Sequence, residues 1–245
     1  MPLCVFEDEE TVHLRPLVNT RAVYDLRLGI RTLLETTRDA FGAPPTVLHA
    51  RTPVAAVTAQ EHDHPVNALD AGEAVLFVNG RFVAHASPVL DRLRRAADPG
   101  EPPRAFVQDG HLIAAWVPDV GAALAERVSS GALLTPSDFA DGPNESVDGA
   151  TLVHRLWHLL DTLPPALERD FAARTGPYHI LDDIYSRSGA TVHPSTVGVN
   201  PEQIFIEQGA TVHPGAVLNA EHGPIFIDRD AQVMEQAVLR GPLYI

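Results

Sequence analysis

Four groups of residues in this 245-residue chain carry side chains that could do chemistry. Glu61-His62-Asp63-His64 sets imidazoles beside carboxylates, the usual ligands of a borderline metal ion. Adjacent ligands in so short a run rarely converge on one ion, and Pro65 marks a turn, so a solvated loop is expected there. His193 and His213 are of the type that deprotonates an acceptor amine or hydroxyl. Both stand before a proline at the same place in a repeated block, and that regularity points to a structural turn. Glu7-Asp8-Glu9-Glu10 is a run of carboxylates followed by Arg15 and Arg21, and Val78-Asn79-Gly80-Arg81 closes an apolar run with an amide and a guanidinium. Arginine forks match phosphate oxygens, whereas clustered carboxylates repel them unless a cation lies between. The sequence contains no P-loop, G-x-S-x-G elbow or H-E-x-x-H pattern, and its one cysteine excludes a thiolate cluster.

Two kinds of scaffold must hold these groups. The last quarter is a repeat. Gly189-Ala190-Thr191-Val192-His193-Pro194 returns as Gly209-Ala210-Thr211-Val212-His213-Pro214, an offset of 20, and Ile204-Phe205-Ile206 returns as Ile225-Phe226-Ile227, an offset of 21. Within it Ile206 and Val212, then Ile227, Val233 and Leu239, stand six apart, with Ala210, Ala216, Ala231 and Ala237 between. An aliphatic residue at every sixth position, alternating with small ones, writes a triangular parallel β-helix whose aliphatic side chains point inward. The residues left over fit a short excursion at Asn219–Pro224. An open β-helix end exposes apolar side chains and strand edges. Leu239–Ile245 reads as a coil in progress, so the expectation is about three coils at the front of a longer, truncated β-helix.

The first 180 residues alternate strands and helices. Leu3–Phe6, Thr46–His49 and Ala74–Val78 read as strands, and Leu26, Ile30, Leu33 and Leu34 have the spacing of a helix face. Pro88–Ala97, Asp119–Val128 and Leu152–Leu160 read as further helices, the last with Trp157 on or beside its apolar face. Ala105–Gln108 and Leu112–Val117 flank Asp109-Gly110, a strong hairpin signal. Ser129–Ala150 reads as a linker or long loop. The alternation predicts an α/β, mainly parallel sheet with covered faces.

With 32 acidic against 18 basic side chains the chain has a formal net charge of −14, which repels phosphodiester backbones and anionic lipid, so neither nucleic acid nor membrane is expected as a partner. No apolar run approaches the roughly 20 residues a membrane span needs. The start, MPLCVFEDEE, lacks a signal-peptide pattern, which makes the cytoplasm the expected location.

The order of these parts carries a resemblance. Arg15-Pro16-Leu17, Arg21–Ile30, Val78–Arg81, Asn219–Ile225 and Leu239–Pro242 resemble phrases of a branch of sugar nucleotidyltransferases related to the bifunctional enzymes of UDP-N-acetylglucosamine synthesis. The resemblance implies a Rossmann-like nucleotidyltransferase-type domain over residues 1–180 and a hexapeptide-repeat left-handed β-helix of acyltransferase type beginning at 181–245. It implies a nucleoside triphosphate or sugar nucleotide as partner, magnesium as cofactor, and acetyl-CoA and a homotrimer for the full-length protein. Acyltransferase residues would lie beyond residue 245, and no catalytic residue is assigned here.

The chain departs from the family pattern at two places. Glu7-Asp8-Glu9-Glu10 stands where the family has a glycine-rich phosphate loop, and Asn79-Gly80-Arg81 stands where it has the metal-binding aspartate. The expected substrate-binding residues are therefore Arg15, Arg21, Asn79 and Arg81, with Asp8 as a weak metal ligand on the opposite wall. In the competing reading the arginines pair with the acidic run or lie in an exposed turn. The domain is then a degenerate sugar-nucleotide-binding or scaffold module, with acyl transfer only in later coils.

Overall fold

The computed structural model describes residues 2–84, 87–98, 100–139, 142–173, 179–181, 184–186 and 188–245. The chain divides into two compact units, Met1–Arg27 with Arg31–Leu159, and Leu28–Ile30 with Leu160–Ile245.

The first unit is built on a six-stranded mixed sheet in the order β4-β1-β5-β7-β6-β8. Strand β1 (Leu3–Phe6) is buried at every residue, because both its faces are covered. It runs parallel to both β4 (Val47–Leu48) and β5 (Val75–Asn79). Between β1 and β4 lie two short strands, β2 (Arg27–Leu28) and β3 (Arg31–Thr32), and helix α1 (Leu33–Phe41). Strand β5 is followed by helix α3 (Leu90–Ala96), and helix α2 (Thr52–Glu61) lies between β4 and β5. Strands β6 (Arg104–Gln108) and β7 (His111–Val117) form the expected hairpin, with Asp109 at φ 52° and Gly110 at φ 81°. Those two positive angles are what a tight two-residue turn demands. A core of Phe6, Phe77, Phe139, Leu112 and Leu134, among others, packs against the sheet.

The sheet is mainly parallel, as expected: five of its six strands run one way, and only β7 is reversed, because the Asp109-Gly110 turn sends it back antiparallel to both β6 and β5. Three expectations are corrected. The helix anticipated around Leu26–Leu34 starts only at Leu33. Gly29 adopts φ 79° between β2 and β3, and Thr32 and Glu35 close a capping box. Ser129–Ala150 is not only loop: it follows α4 (Ala122–Ser129), carries a 3-10 turn at Pro136–Phe139, and supplies β8 (Asn144–Ser146) parallel to β6. The helix expected over Leu152–Leu160 runs instead over Leu156–Ala172 as α5, and its Trp157, expected on or beside the apolar face, is 58% exposed. Helix α2 had no sequence signal. Only Val54 and Thr58 of its ten residues are buried, so it has no apolar stripe to read.

The second unit, after the end of α5, stacks parallel strands on three sides, consistent with a short left-handed β-helix, and its first strand, β9 (His179–Leu181), pairs antiparallel with β10 (Ile184–Ser186). The registers follow the repeat: Thr191↔Thr211↔Gln232, Val197↔Val217↔Val238 and Ile204↔Ile225 lie beside one another on successive coils. Ile206, Val212, Ile227 and Val233 are buried in its core with Ala210 and Ala216, as the six-residue spacing predicts. Strands Val217–Asn219 and Ile225–Ile227 leave the excursion between them.

Candidate functional site at the sheet edge

Parallel pairing in the register Phe6↔Asn79 brings the ends of β1 and β5 out at one edge of the sheet, where open α/β sheets bind ligands. Two residues past each strand end stand Asp8 and Arg81. Arg81 Nε donates to Asp8 Oδ1 at 2.8 Å and Nη2 to Oδ2 at 2.5 Å, a two-pronged fork. Asn79 Nδ2 donates to the same Oδ2 at 2.7 Å and to the Leu112 carbonyl at 2.8 Å, while Asn79 Oδ1 accepts from the Arg81 N–H. Arg81 Nη1 completes the set on the Val153 carbonyl and His154 Nδ1. Gly80 permits this closure: a Cβ there would come within 3.0 Å of the Phe6 carbonyl oxygen, Tyr24 and Val23. The structure thus brings Asp8, Asn79 and Arg81 together, but with Arg81 at 0% exposure. It can offer its charge to a ligand only by leaving Asp8.

Glu7 and Glu10 of the acidic run have partners of their own, and Glu9 is exposed. Glu7 is buried and accepts from the N–H groups of Val23 (2.7 Å) and Arg51 (2.9 Å) and from Arg51 Nη1. Arg51 Nη2 reaches the carbonyls of Val18 and Arg21, bracing the segment between β1 and the 3-10 turn Val23–Asp25. Burial pushes the Glu7 carboxyl above its ordinary value against the pull of Arg51. Beneath it His49 Nδ1 accepts the Glu7 N–H and Nε2 donates to the Ala132 carbonyl, the neutral tautomer, and burial holds this ring down at about 4. Glu10 pairs with His13 at 3.0 Å. Arg15 and Arg21 are exposed and make no ion pair among the described residues.

Accessible ground at this edge is formed by Glu10 of the acidic run and two histidines that the sequence did not single out. Glu10, His111 and His154 can each bring a ligand atom within 4.8 Å of the other two. The His111 and His154 rings lie 4.5 Å apart, and His158 borders His154 at 5.9 Å. His154 is pushed down to about 4 by burial and then by Arg81, so at neutral pH it acts as a neutral hydrogen-bonding group rather than a cation. No local pattern marks these histidines in the sequence; one precedes β7's apolar run and the other follows Val153.

A profile of the sugar nucleotidyl transferase family matches residues 3–177. The chain belongs to the sugar nucleotidyl transferase family. No curated protein matches it at a significant level. Membership in a sugar nucleotidyl transferase family implies a transferase with nucleotide and sugar substrates. The magnesium that the resemblance implies does not fit Asp8, since an ion preferring octahedral oxygen ligands would have to displace Arg81 and Asn79 from its two oxygens. Glu10 with two imidazoles is likewise a donor set for softer ions than magnesium. His193 bonds to Ser195 Oγ at 2.8 Å inside its turn, and His213 lies 3.7 Å from Glu235, so both histidines are engaged within the coils. Among the described residues no helix is long and apolar enough to cross a membrane.

Proposed function

We propose that the chain is a sugar-1-phosphate nucleotidyltransferase of the UDP-N-acetylglucosamine pyrophosphorylase type. Its first unit would join a nucleoside triphosphate to a sugar 1-phosphate with release of pyrophosphate. The observation that carries this reading is the sheet edge itself: in a family member, β1 and β5 end together and gather Asp8, Glu10, Asn79, His111 and His154. In this reading Arg15 and Arg21, exposed and without an ion pair among the described residues, meet the phosphates from the braced segment after β1. The Asp8–Arg81–Asn79 cluster holds the strand ends in register. His154, held neutral, and the neighbouring His111 offer ring nitrogens to sugar hydroxyls. The acyltransferase-type β-helix and its acetyl-CoA belong to the same proposal. Val197 and Val238, 53% and 62% exposed, stand with Val217 in one row of a flat side, which supports association of three prisms into a homotrimer. Light scattering of the full-length protein checks the trimer.

One observation favours the second reading, a non-catalytic sugar-nucleotide sensor. The position that faces the metal in active relatives is here a buried arginine already saturated by protein partners. Calorimetry with UDP- and dTDP-sugars, with and without magnesium, beside a pyrophosphate-release assay with the matching triphosphates, separates the two. Turnover that Arg15→Ala or Arg21→Ala slows supports the enzyme. Binding without turnover supports the sensor, and no binding to any sugar nucleotide removes both.

A further inference from the structure

The Glu61-His62-Asp63-His64 run is not used by the nucleotidyl-transfer reading, and its own neighbours are too close in sequence to surround an ion. The fold supplies the distant partner. Asp25, on the 3-10 turn Val23–Asp25, places Oδ1 2.8 Å from His62 Nε2. Asp25, Glu61 and His62 can each bring one ligand atom within 4.8 Å of the other two.

Two observations set this cluster apart from an ordinary ion pair. The Asp25 side chain is only 10% exposed, and its second oxygen, Oδ2, is buried without a hydrogen bond of good geometry among the described residues. A buried carboxylate oxygen left in that state costs free energy until a donor or cation meets it. The cluster also lies at the C-terminal end of α2, which stops at Glu61 with His62 as its cap. A helix C-terminus carries partial negative charge and favours a cation. Glu61 is exposed and free to turn toward Asp25, and Asp63 adds a further exposed carboxylate beside it.

We propose that Asp25, Glu61 and His62 form a binding site for a divalent transition-metal ion of the zinc type, with Asp25 Oδ2 as its buried ligand. One imidazole and two carboxylates suit zinc, whereas magnesium prefers oxygen alone. Three protein ligands leave room for water. The ion ties the turn Val23–Asp25 to the end of α2. That turn is also held by Glu7 through the Val23 N–H, so the ion stiffens the segment carrying Arg15 and Arg21. The proposal stands on these three side chains and does not depend on nucleotidyl transfer.

The test titrates zinc chloride into the chelator-stripped full chain by calorimetry, comparing wild type with Glu61→Gln, Asp25→Asn and His154→Gln. The expected result is one equivalent of zinc whose affinity falls about tenfold or more in Glu61→Gln and Asp25→Asn. His154→Gln, in the separate Glu10–His111–His154 cluster, should leave that equivalent in place. Glu61 is exposed, so its variant keeps the test sound even where Asp25→Asn fails to fold. Metal-free melting of Glu61→Gln equal to wild type confirms its fold. No binding at sub-millimolar zinc overturns the proposal. So does binding that Glu61→Gln leaves unchanged, or that only His154→Gln removes.

Discussion

Arg81 shows how a residue read as a ligand contact can instead become the keystone of a strand junction. Its guanidinium is wholly buried, and every direction it points meets an acceptor: Asp8 twice, the Val153 carbonyl and His154 Nδ1. Removing one partner of a buried pair leaves the other charge uncompensated, which costs about 3–5 kcal/mol. Arg81→Ala is therefore expected to lower stability by that amount in urea denaturation. The double variant Arg81→Leu with Asp8→Leu should recover much of the loss, and a cycle with no coupling would show that the pair does not act as a unit. His49 governs pH dependence at the same scale. Its native value, about 4, lies below the ordinary histidine value of 6.5. As pH falls through 6.5 the unfolded chain binds a proton that the native chain refuses until about pH 4. Stability therefore declines across that window, by on the order of 3 kcal/mol. His49→Gln should flatten this part of the stability profile, measured as urea midpoints between pH 7 and pH 4.5. Identical slopes for the two proteins would contradict the assignment.

At the scale of elements, local chemistry decided boundaries that periodicity misjudged. Leu26, Ile30, Leu33 and Leu34 have helical spacing, yet only the last two lie in α1. Thr32 Oγ1 accepts the Glu35 N–H at 3.1 Å while Glu35 Oε2 accepts the Thr32 N–H at 2.7 Å, so the helix begins there. Thr-Leu-Leu-Glu is a legible capping box, and it outweighs an apolar pattern interrupted by a glycine at positive φ. Thr32→Ala should cost about 1 kcal/mol, read as a lower denaturation midpoint, while Thr32→Ser should cost far less. Strand β8 was hidden for a different reason. Asn144–Ser146 has no apolar alternation, and its three residues pair with β6 only because the hairpin leaves that edge open.

For the molecule as a whole, the two units have separate cores of different kinds. In the first, long-range parallel pairing places β1 between β4 and β5, so its core depends on contacts far apart in sequence. In the second, each coil stacks on the next at an offset of about 20 residues, and Ile206 is fully buried between Ser186 and Ile227 of the neighbouring coils. Ile206→Asp buries an unpaired charge in that stack and should destabilise it by several kcal/mol. Melting followed by circular dichroism checks this, and an unchanged transition would mean that the coil register is wrong.

The β-helix register could be read from the chain alone, because each coil repeats its own local pattern and most positions carry the same or a similar residue on the same side at successive turns. The apolar runs of β1, β5 and β7 were legible for a similar reason, as burial on both faces leaves no polar position to confuse them. The edge chemistry was not. Asp8 and Arg81 are 73 residues apart, as are Arg81 and His154, and Asp25 lies 37 residues from His62. No local spacing encodes such encounters. Sequence put the right residue types at the strand ends, but only the parallel pairing of β1 with β5 decided that Arg81 would spend its charge on Asp8. A buried charge takes the nearest opposite charge the fold offers, and that neighbour exists only once the sheet has formed.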